Sequence, residues 1–117
     1  MTGDSQAGFC ARLLRVLADH TRLRVVRMLL DGERRAGEIG RRLGIEKTLL
    51  SHHLRVLREA GVVVGRRVGK SVVYSLAPAM RTTAQRAAID LGCCRLQFDQ
   101  DGTPAGTSAA KREGTAQ

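Results

Sequence analysis

The sequence predicts a mainly α-helical domain that carries a single β-hairpin. From residue 10 to residue 60, apolar residues recur every three or four positions, the spacing of helices that bury one face. The pattern then changes to two runs rich in β-branched residues, "VVVGRRV" and "SVVYSL", which the turn dipeptide "GK" separates. The chain has 117 residues, of which 43% are apolar, so it fits one small domain with a modest core.

Two helices are predicted ahead of the most basic part of the chain. The first covers residues 10–18, where leucines lie at helical spacing, and residues 1–9 before it are expected to be a flexible N-terminus. The second helix follows Asp19, whose side chain suits an N-cap, and its apolar face ends just before Gly32, a residue that favours helix termination.

The next segment predicts a helix-turn-helix. A short helix over residues 36–43 is followed by a tight turn after Gly44 and by a longer helix over residues 47–60. The longer helix carries leucines at four- and three-residue spacing on one face: Leu50, Leu54 and Leu57. Because the β-hairpin follows directly, the fold class is a winged helix-turn-helix, mainly α with a β-hairpin wing.

After the wing, Pro78 is expected to end the second strand. Residues 79–92, "AMRTTAQRAAIDLG", predict a fifth helix whose apolar stripe is mostly alanine, which suits the close approach of another helix. Residues 102–117 are polar and rich in small residues, and they predict a disordered tail. The folded domain is therefore expected to cover residues 10–101.

The charge of the chain points to a polyanionic partner. The net charge is +9. Between Arg34 and Lys70 there are ten Lys/Arg and three Glu, so that less than a third of the chain carries +7 of this total. A general compositional bias would not cluster in this way, and double-stranded DNA is the expected partner.

The outer side of the second helix of the helix-turn-helix and the tip of the wing supply the candidate DNA contacts. If the leucine face is buried, the opposite face presents donors and cations to base edges and phosphates, and one leucine to a thymine methyl. The helix residues are Lys47, Thr48, Leu49, Ser51, His52 and Arg55; the wing residues are Arg66, Arg67 and Lys70. His53 is expected to pack or to contact a phosphate rather than to read a base.

Several function classes lack support in the sequence. No run of 18 apolar residues predicts a membrane span, and "MTGDSQAGF" does not resemble a secretory signal, so a cytoplasmic protein without a membrane partner is expected. No phosphate loop, cofactor motif or Cys/His/Asp arrangement indicates an enzyme. A constitutive DNA-coating protein is a weaker alternative, because a winged helix differs from a diffuse basic tail.

Three motifs resemble a known family. The segments "LADHTRLRVVRMLLDG", "SHHLRVLREAGVV" and "GRRVGKSVVYSL" occur in the same order as in the ArsR/SmtB family of bacterial winged-helix repressors, over roughly residues 12–78. The resemblance implies a homodimer through the first and last helices, which places two recognition helices on a palindromic operator. It also implies that no cofactor is needed to bind DNA, and that binding of an inducer, often a metal ion, releases the repressor.

The chain departs from the family at three places. The recognition helix opens Lys-Thr-Leu-Leu at residues 47–50, where the family often has Gln-Ser-Thr-Val, which implies a different operator. The segment before it, "ERRAGEI", lacks the Cys-x-Cys of many arsenic sensors of the family. In the last predicted helix, Asp90 alone stands where zinc sensors of the family have an Asp/His set.

The cysteines predict a different inducer site. Cys10 opens the first predicted helix, and Cys93 and Cys94 follow the last one, just after Gly92, which allows the backbone to turn. If those helices adjoin, within a subunit or across the dimer, three thiolates without a histidine form a soft site. Such a site suits As(III) or Sb(III), then Hg(II), and less well Cd(II) or Pb(II), whereas Zn(II) normally takes four ligands.

These cysteines lead to one preferred function and two alternatives. The preferred function is a repressor of a metal(loid) resistance operon, released by a thiophilic ion. The first alternative is a redox- or persulfide-sensing repressor of the same fold that uses the same cysteines. The second is that the cysteines are small buried hydrophobic residues with no chemical role. The odd number of cysteines argues against a disulfide framework.

Overall fold

The computed structural model describes residues 2–81 and 87–98, with side chains from residue 7 onward. The helices are α1 (Thr2–Leu17), α2 (His20–Leu30), α3 (Ala36–Leu43) and α4 (Lys47–Glu59), with a 3-10 turn at Pro78–Met80. The strands are β1 (Arg34–Arg35), β2 (Val63–Val68), β3 (Ser71–Leu76), β4 (Ala88–Asp90) and β5 (Arg95–Gln97). No helix among the described residues is long and apolar enough to cross a membrane.

The first helix is longer than predicted. It begins at Thr2, so most of the stretch expected to be a flexible N-terminus, residues 1–9, continues the helix instead. Once the later turns of a helix exist, each added residue gains one hydrogen bond without a new nucleation cost, so a helix can extend beyond its apolar stripe. The second helix is as predicted: the Asp19 side chain caps it by accepting from the backbone N–H of Arg22, at 3.0 Å.

Helices α2, α3 and α4 pack around one apolar core, which confirms the helix-turn-helix. The turn between α3 and α4 depends on Gly44, whose φ of 67° lies in the left-handed region that favours glycine. Its N–H donates to the carbonyl of Gly40 at 2.8 Å. The core includes Val26 and Leu29 of α2, Ile39 and Leu43 of α3, and the three leucines of α4, whereas Leu23 and Leu30, expected on the same apolar face of α2, are partly buried against it.

The wing is a three-stranded antiparallel sheet with strand order β1-β3-β2. The predicted hairpin is confirmed, with Val68 paired to Ser71 next to the tip and Val63 paired to Leu76 at the far end. The sequence did not predict β1, because a two-residue strand is too short to show a period. Gly65 lies opposite Tyr74, and a Cβ at this glycine would come within 3.0 Å of the tyrosine ring.

The predicted fifth helix is wrong over the residues that the structure describes. A 3-10 turn ends at Met80, and Ala88–Asp90 pairs with Arg95–Gln97 in a short antiparallel hairpin. Ile89, fully buried, also forms a bridge with Arg81. Residues 82–86, including Ala84 of the predicted stripe, and the predicted tail, residues 102–117, lie outside the described part. A dimer contact through a last helix therefore has no helical counterpart in residues 87–98.

Candidate nucleic-acid interface and thiol cluster

Helix α4 is divided into a buried face and an exposed face. Leu50, Leu54 and Leu57 are at most 4% exposed, and His53 is the one buried polar side chain among the described residues. The outer face of α4, defined here by the predicted DNA contacts of this helix, is exposed in every member: Lys47, Thr48, Leu49, Ser51, His52 and Arg55. The structure thus brings these six side chains to one surface.

The N-terminus of α4 is capped by an acidic residue that the sequence analysis missed. The Glu46 carboxylate accepts from the backbone N–H of Leu49 at 3.1 Å. Hydrogen bonds from the N–H groups of Thr48 and Leu49 hold the pKa of Glu46 below its usual range, so the carboxylate is charged at neutral pH. This cap fixes the end of the helix that carries Lys47 and Thr48.

The three wing cations are exposed, but their surroundings differ. Arg67 and Lys70 lie on the β2–β3 hairpin near its tip. Arg66 is engaged by Glu33, which lies just before β1: one guanidinium nitrogen is 2.6 Å from one carboxylate oxygen and the other is 3.1 Å from the second. This pairing lowers the pKa of Glu33 and raises that of Arg66. A phosphate would have to compete with this carboxylate for Arg66.

A groove of about 730 Å³ separates the helix-turn-helix from the wing. Its lining includes cations from all three sides: Arg41 from α3, Lys47 from α4 and Lys70 from the wing tip. Arg41 was not among the predicted contacts, although its place in the basic segment was visible in the sequence. Because cations line the groove from each side, the outer face of α4, the groove and the wing together form one positively charged surface.

The thiol cluster, Cys10, Cys93 and Cys94, forms within one chain. The structure links Cys10 and Cys93 by a disulfide with a Cα–Cα distance of 6.3 Å. The Cys94 sulfur lies 3.9 Å from that of Cys10 and 3.8 Å from that of Cys93. All three sulfurs lie within 4.8 Å of one another, and the structure shows no other such group of potential metal ligands in residues 2–81 and 87–98.

The β4–β5 turn explains how neighbouring cysteines reach the same point. Gly92 has a φ of 93°, and its N–H donates to the Asp90 carboxylate at 2.8 Å. The N–H of Leu91 donates to the carbonyl of Cys94 at 2.9 Å, which closes the turn. On a straight strand the two side chains would point to opposite faces, whereas here both approach Cys10 on α1. Cys93 and Cys94 are exposed, and Cys10 is partly buried.

The disulfide differs from the expectation that the odd number of cysteines had suggested. The hairpin brings together two cysteines that are 83 residues apart, and no local sequence pattern shows this pairing. In the oxidised pair, Cys94 is the remaining free thiol among the described cysteines. The same geometry, once reduced, offers three thiols at metal-ligand separation.

Comparisons with known proteins agree with this architecture. The family model described as "Bacterial regulatory protein, arsR family" matches residues 19–64. The HTH-type transcriptional regulator NmtR of Mycobacterium tuberculosis is 43% identical over 74 residues, which cover 62% of this chain and 62% of NmtR. This chain thus spans less than two thirds of the length of NmtR.

Two further matches cover more of the compared protein. A probable mercury resistance operon repressor of Streptomyces lividans is 38% identical over 92 residues, covering 72% of this chain and 74% of that protein. The homodimeric winged helix-turn-helix DNA-binding domain of Mb0332 from Mycobacterium bovis superposes with a TM-score of 0.60 at 31% identity, covering 64% of this chain and 69% of that one. The chain belongs to the ArsR family of bacterial regulatory proteins.

Proposed function

We propose that this protein is a cytoplasmic, homodimeric repressor that binds operator DNA and is released when a thiophilic ion binds Cys10, Cys93 and Cys94. The observation that carries the proposal is the convergence of three sulfurs from the two ends of the described chain within 4.8 Å of one another. The proposed genes are those of a metal(loid) resistance operon. Binding, not catalysis, is the activity that this arrangement supports.

The proposed DNA interface is the outer face of α4 together with the groove and the wing. A helix of this exposure and polarity fits the major groove, where Ser51, His52 and Arg55 meet base edges and Leu49 meets a thymine methyl. Arg67 and Lys70 on the wing are placed for the backbone or the minor groove. The net charge of +9 supports the attraction to duplex DNA.

The proposed dimer is supported by α1. Phe9 and Leu14, on this helix, are 47% and 41% exposed, so each leaves apolar surface that a second copy of the chain could cover. The homodimeric winged helix-turn-helix domain from Mycobacterium bovis supports a homodimer. A symmetric dimer presents two α4 helices to a palindromic site.

The donor set favours As(III) or Sb(III) as inducer. These ions bond to three sulfurs in a pyramid, and three thiolates in one chain match that number. Hg(II), with two or three thiolates, is the next choice, and the probable mercury resistance repressor of Streptomyces lividans supports it. Cd(II) and Pb(II) rank lower, as does Zn(II), which normally takes four ligands, because the group in the described residues offers three. The cysteines must be reduced, because thiolates are the ligands.

Release follows from movement of α1. Three bonds to one ion fix α1 to the β4–β5 turn, which no bond does in the reduced, ion-free protein, and this changes how α1 packs on α2 and across the dimer. The two α4 helices then leave the spacing that the operator requires. A coupling free energy of about 1–3 kcal/mol weakens operator binding roughly 5- to 150-fold.

A second candidate function is thiol oxidation, which the Cys10–Cys93 disulfide favours. Two thiols and a hydroperoxide give the disulfide, an alcohol and water, so the oxidant takes two electrons from the sulfurs. A persulfide at one of the same cysteines is a related form. In the disulfide form, the covalent link between α1 and the β4–β5 turn replaces the bound ion as the signal.

The experiment that separates these functions begins with a DNA duplex selected from a random library by the reduced, ion-free protein; we refer to it as the selected duplex. Its dissociation constant is measured by fluorescence anisotropy with arsenite, antimonite, Hg(II), Cd(II), Zn(II) or a hydroperoxide added singly. We expect arsenite and antimonite to weaken binding roughly 100-fold and Zn(II) to have little effect. Release by the hydroperoxide alone would support the oxidation mechanism, and release by none of these would contradict both.

Replacing Glu33 by glutamine is expected to strengthen binding to the selected duplex. The substitution removes the carboxylate that holds Arg66 and frees its guanidinium for a phosphate. Because an exposed ion pair contributes only about 0.2–1 kcal/mol, we expect an increase in affinity of about two- to fivefold at low salt. The slope of log affinity against log salt is expected to steepen by about one unit.

Glu59→Gln is the matched control for this prediction. It removes the same charge from an exposed glutamate at the last residue of α4, the end opposite Lys47. We expect its affinity and salt dependence to stay close to those of the wild type. Equal changes in both variants would mean that net charge alone acts and that Arg66 does not contact a phosphate.

A further inference from the structure

Arg22 joins three helices through directed hydrogen bonds. Its backbone N–H donates to Asp19 at the start of its own helix, α2, at 3.0 Å. One terminal guanidinium nitrogen donates to the carbonyl of Val16, in the last turn of α1, at 3.0 Å. The Nε–H donates to Nδ1 of His53, on α4, at 3.1 Å. One side chain therefore connects the helix that carries Cys10 with the helix that carries the proposed DNA contacts.

His53 is well placed to receive this connection. It is 8% exposed, and in the sequence it stands between His52, on the outer face of α4, and the buried Leu54. Because its Nδ1 accepts from Arg22, the neutral ring carries its proton on Nε2. Loss of the partner of a buried polar group costs free energy, so this hydrogen bond ties the position of the ring to that of the guanidinium.

The electrostatics around the ring keep it an acceptor. Burial, followed by the charge of Arg22 and that of His52, lowers the pKa of His53, while the charge of Asp19 opposes them. The net direction is downward, so the imidazole is neutral at pH 7. Asp19 remains charged, because the N–H of Arg22 lowers the pKa of its carboxyl.

We infer that Arg22 is a positioning residue that transmits the displacement of α1 at the thiol cluster to α4. The inference rests on the proposed function. Cys10 and Val16 lie on the same helix, six residues or about 9 Å apart along its axis, so a movement at one is delivered to the other with little loss. The guanidinium is a rigid planar group, so its hydrogen bonds to Val16 and His53 cannot shift independently of each other. The apolar contacts around it have no such directional constraint.

The test compares release ratios, meaning the dissociation constant of the selected duplex with saturating arsenite divided by that without it. For the reduced wild type we expect a ratio of roughly 100. Arg22→Met keeps an unbranched apolar stem but removes the guanidinium that makes both side-chain hydrogen bonds. We expect its release ratio to fall below about five. We expect the affinity of the DNA-free protein for arsenite, measured from the ultraviolet absorbance of arsenic–sulfur bonds, to be unchanged. A purely structural role would weaken DNA binding in both states and leave the ratio as it is.

Arg24→Met is the matched control. It removes the same charge from the same helix, at an exposed residue two positions further on, and we expect the wild-type ratio. Arg22→Lys provides a second variant that keeps the charge if Arg22→Met does not fold, and we expect an intermediate ratio. His53→Leu is expected to have the same release ratio as Arg22→Met. The double variant is expected to have the same ratio as either single variant, because both substitutions break the same hydrogen bond.

The outcomes separate this inference from the function on which it rests. A wild-type ratio near one would overturn both. A wild-type ratio of the expected size, together with the same ratio in folded Arg22→Met or Arg22→Lys, would overturn the role of Arg22 alone. A loss of ratio in Arg24→Met equal to that in Arg22→Met would also overturn it, since charge on α2 would then be the cause.

Discussion

Cys94→Ser is expected to abolish release by arsenite while leaving binding to the selected duplex unchanged. The substitution leaves only two sulfurs, and a neutral serine hydroxyl is a poor ligand for a soft ion. Cys94 lies outside the Cys10–Cys93 disulfide and is exposed, so no core contact is lost. We expect the roughly 100-fold weakening of the wild type to shrink to less than about twofold, as measured by anisotropy under reducing conditions.

The same variant distinguishes ion binding from oxidation. Cys10 and Cys93 can still form their disulfide in Cys94→Ser, so release by a hydroperoxide would persist if oxidation is the signal. Cys93→Ser removes the three-thiolate site and the disulfide that the structure shows, and it leaves the Cys10 and Cys94 sulfurs as a second pair, 3.9 Å apart in the structure. Hg(II), which accepts two thiolates, is expected to release Cys94→Ser in part. Gln97→Ser, at an exposed position of the same hairpin, is the control that keeps every sulfur. Full release of Cys94→Ser by arsenite would refute the three-thiolate site.

The helix-turn-helix was predictable from the sequence because its information is local. In α4, Leu50, Leu54 and Leu57 repeat at the helical period, and burial of that face fixes which side chains are exposed. Gly44 marks the turn because its backbone adopts a conformation that other residues rarely reach. Secondary structure, orientation and the candidate DNA surface follow from the same few positions.

The C-terminal part was mispredicted because its pattern is ambiguous. Alanines at residues 84, 87 and 88 fit the stripe of a helix, but alanine adds little apolar area with which to hold one. Strands of three residues, such as β4 and β5, are too short to show alternation, and their pairing depends on partners across the Gly92 turn. The predicted meeting of Cys10 with the cysteine pair was therefore based on the wrong element, a helix instead of a hairpin.

Contacts between distant residues were beyond the reach of sequence patterns. Glu33 and Arg66 are separated by 33 positions, and Arg22 and His53 by 31. Each pair joins side chains that period and propensity treat as independent surface positions. This explains why Arg66 was predicted as a free DNA contact although a carboxylate engages it, and why Arg22 was not predicted to have any role at all.

Arg55→Glu is expected to give the largest loss of DNA binding among single substitutions on the outer face of α4. The change removes a cation that points away from the leucine face and places a carboxylate against a polyanion. An arginine that contacts a base contributes about 1–3 kcal/mol, and charge repulsion adds to this, so we expect affinity for the selected duplex to fall by roughly 100-fold. The measurement is anisotropy at about 50 and about 200 mM salt, on the selected duplex and on a scrambled one.

The pattern of this loss shows what Arg55 contacts. If Arg55 reads a base, the preference for the selected over the scrambled duplex falls; if it meets a phosphate, both affinities fall equally and the salt dependence weakens by about one unit. Arg24→Glu makes the same charge change at an exposed residue of α2, outside the helix-turn-helix, the wing and the α1 surface proposed for the dimer, and is expected to weaken binding far less. Equal losses in the two variants would mean that the total charge of the protein causes the effect. In that case α4 would not be the element that enters the major groove of the DNA.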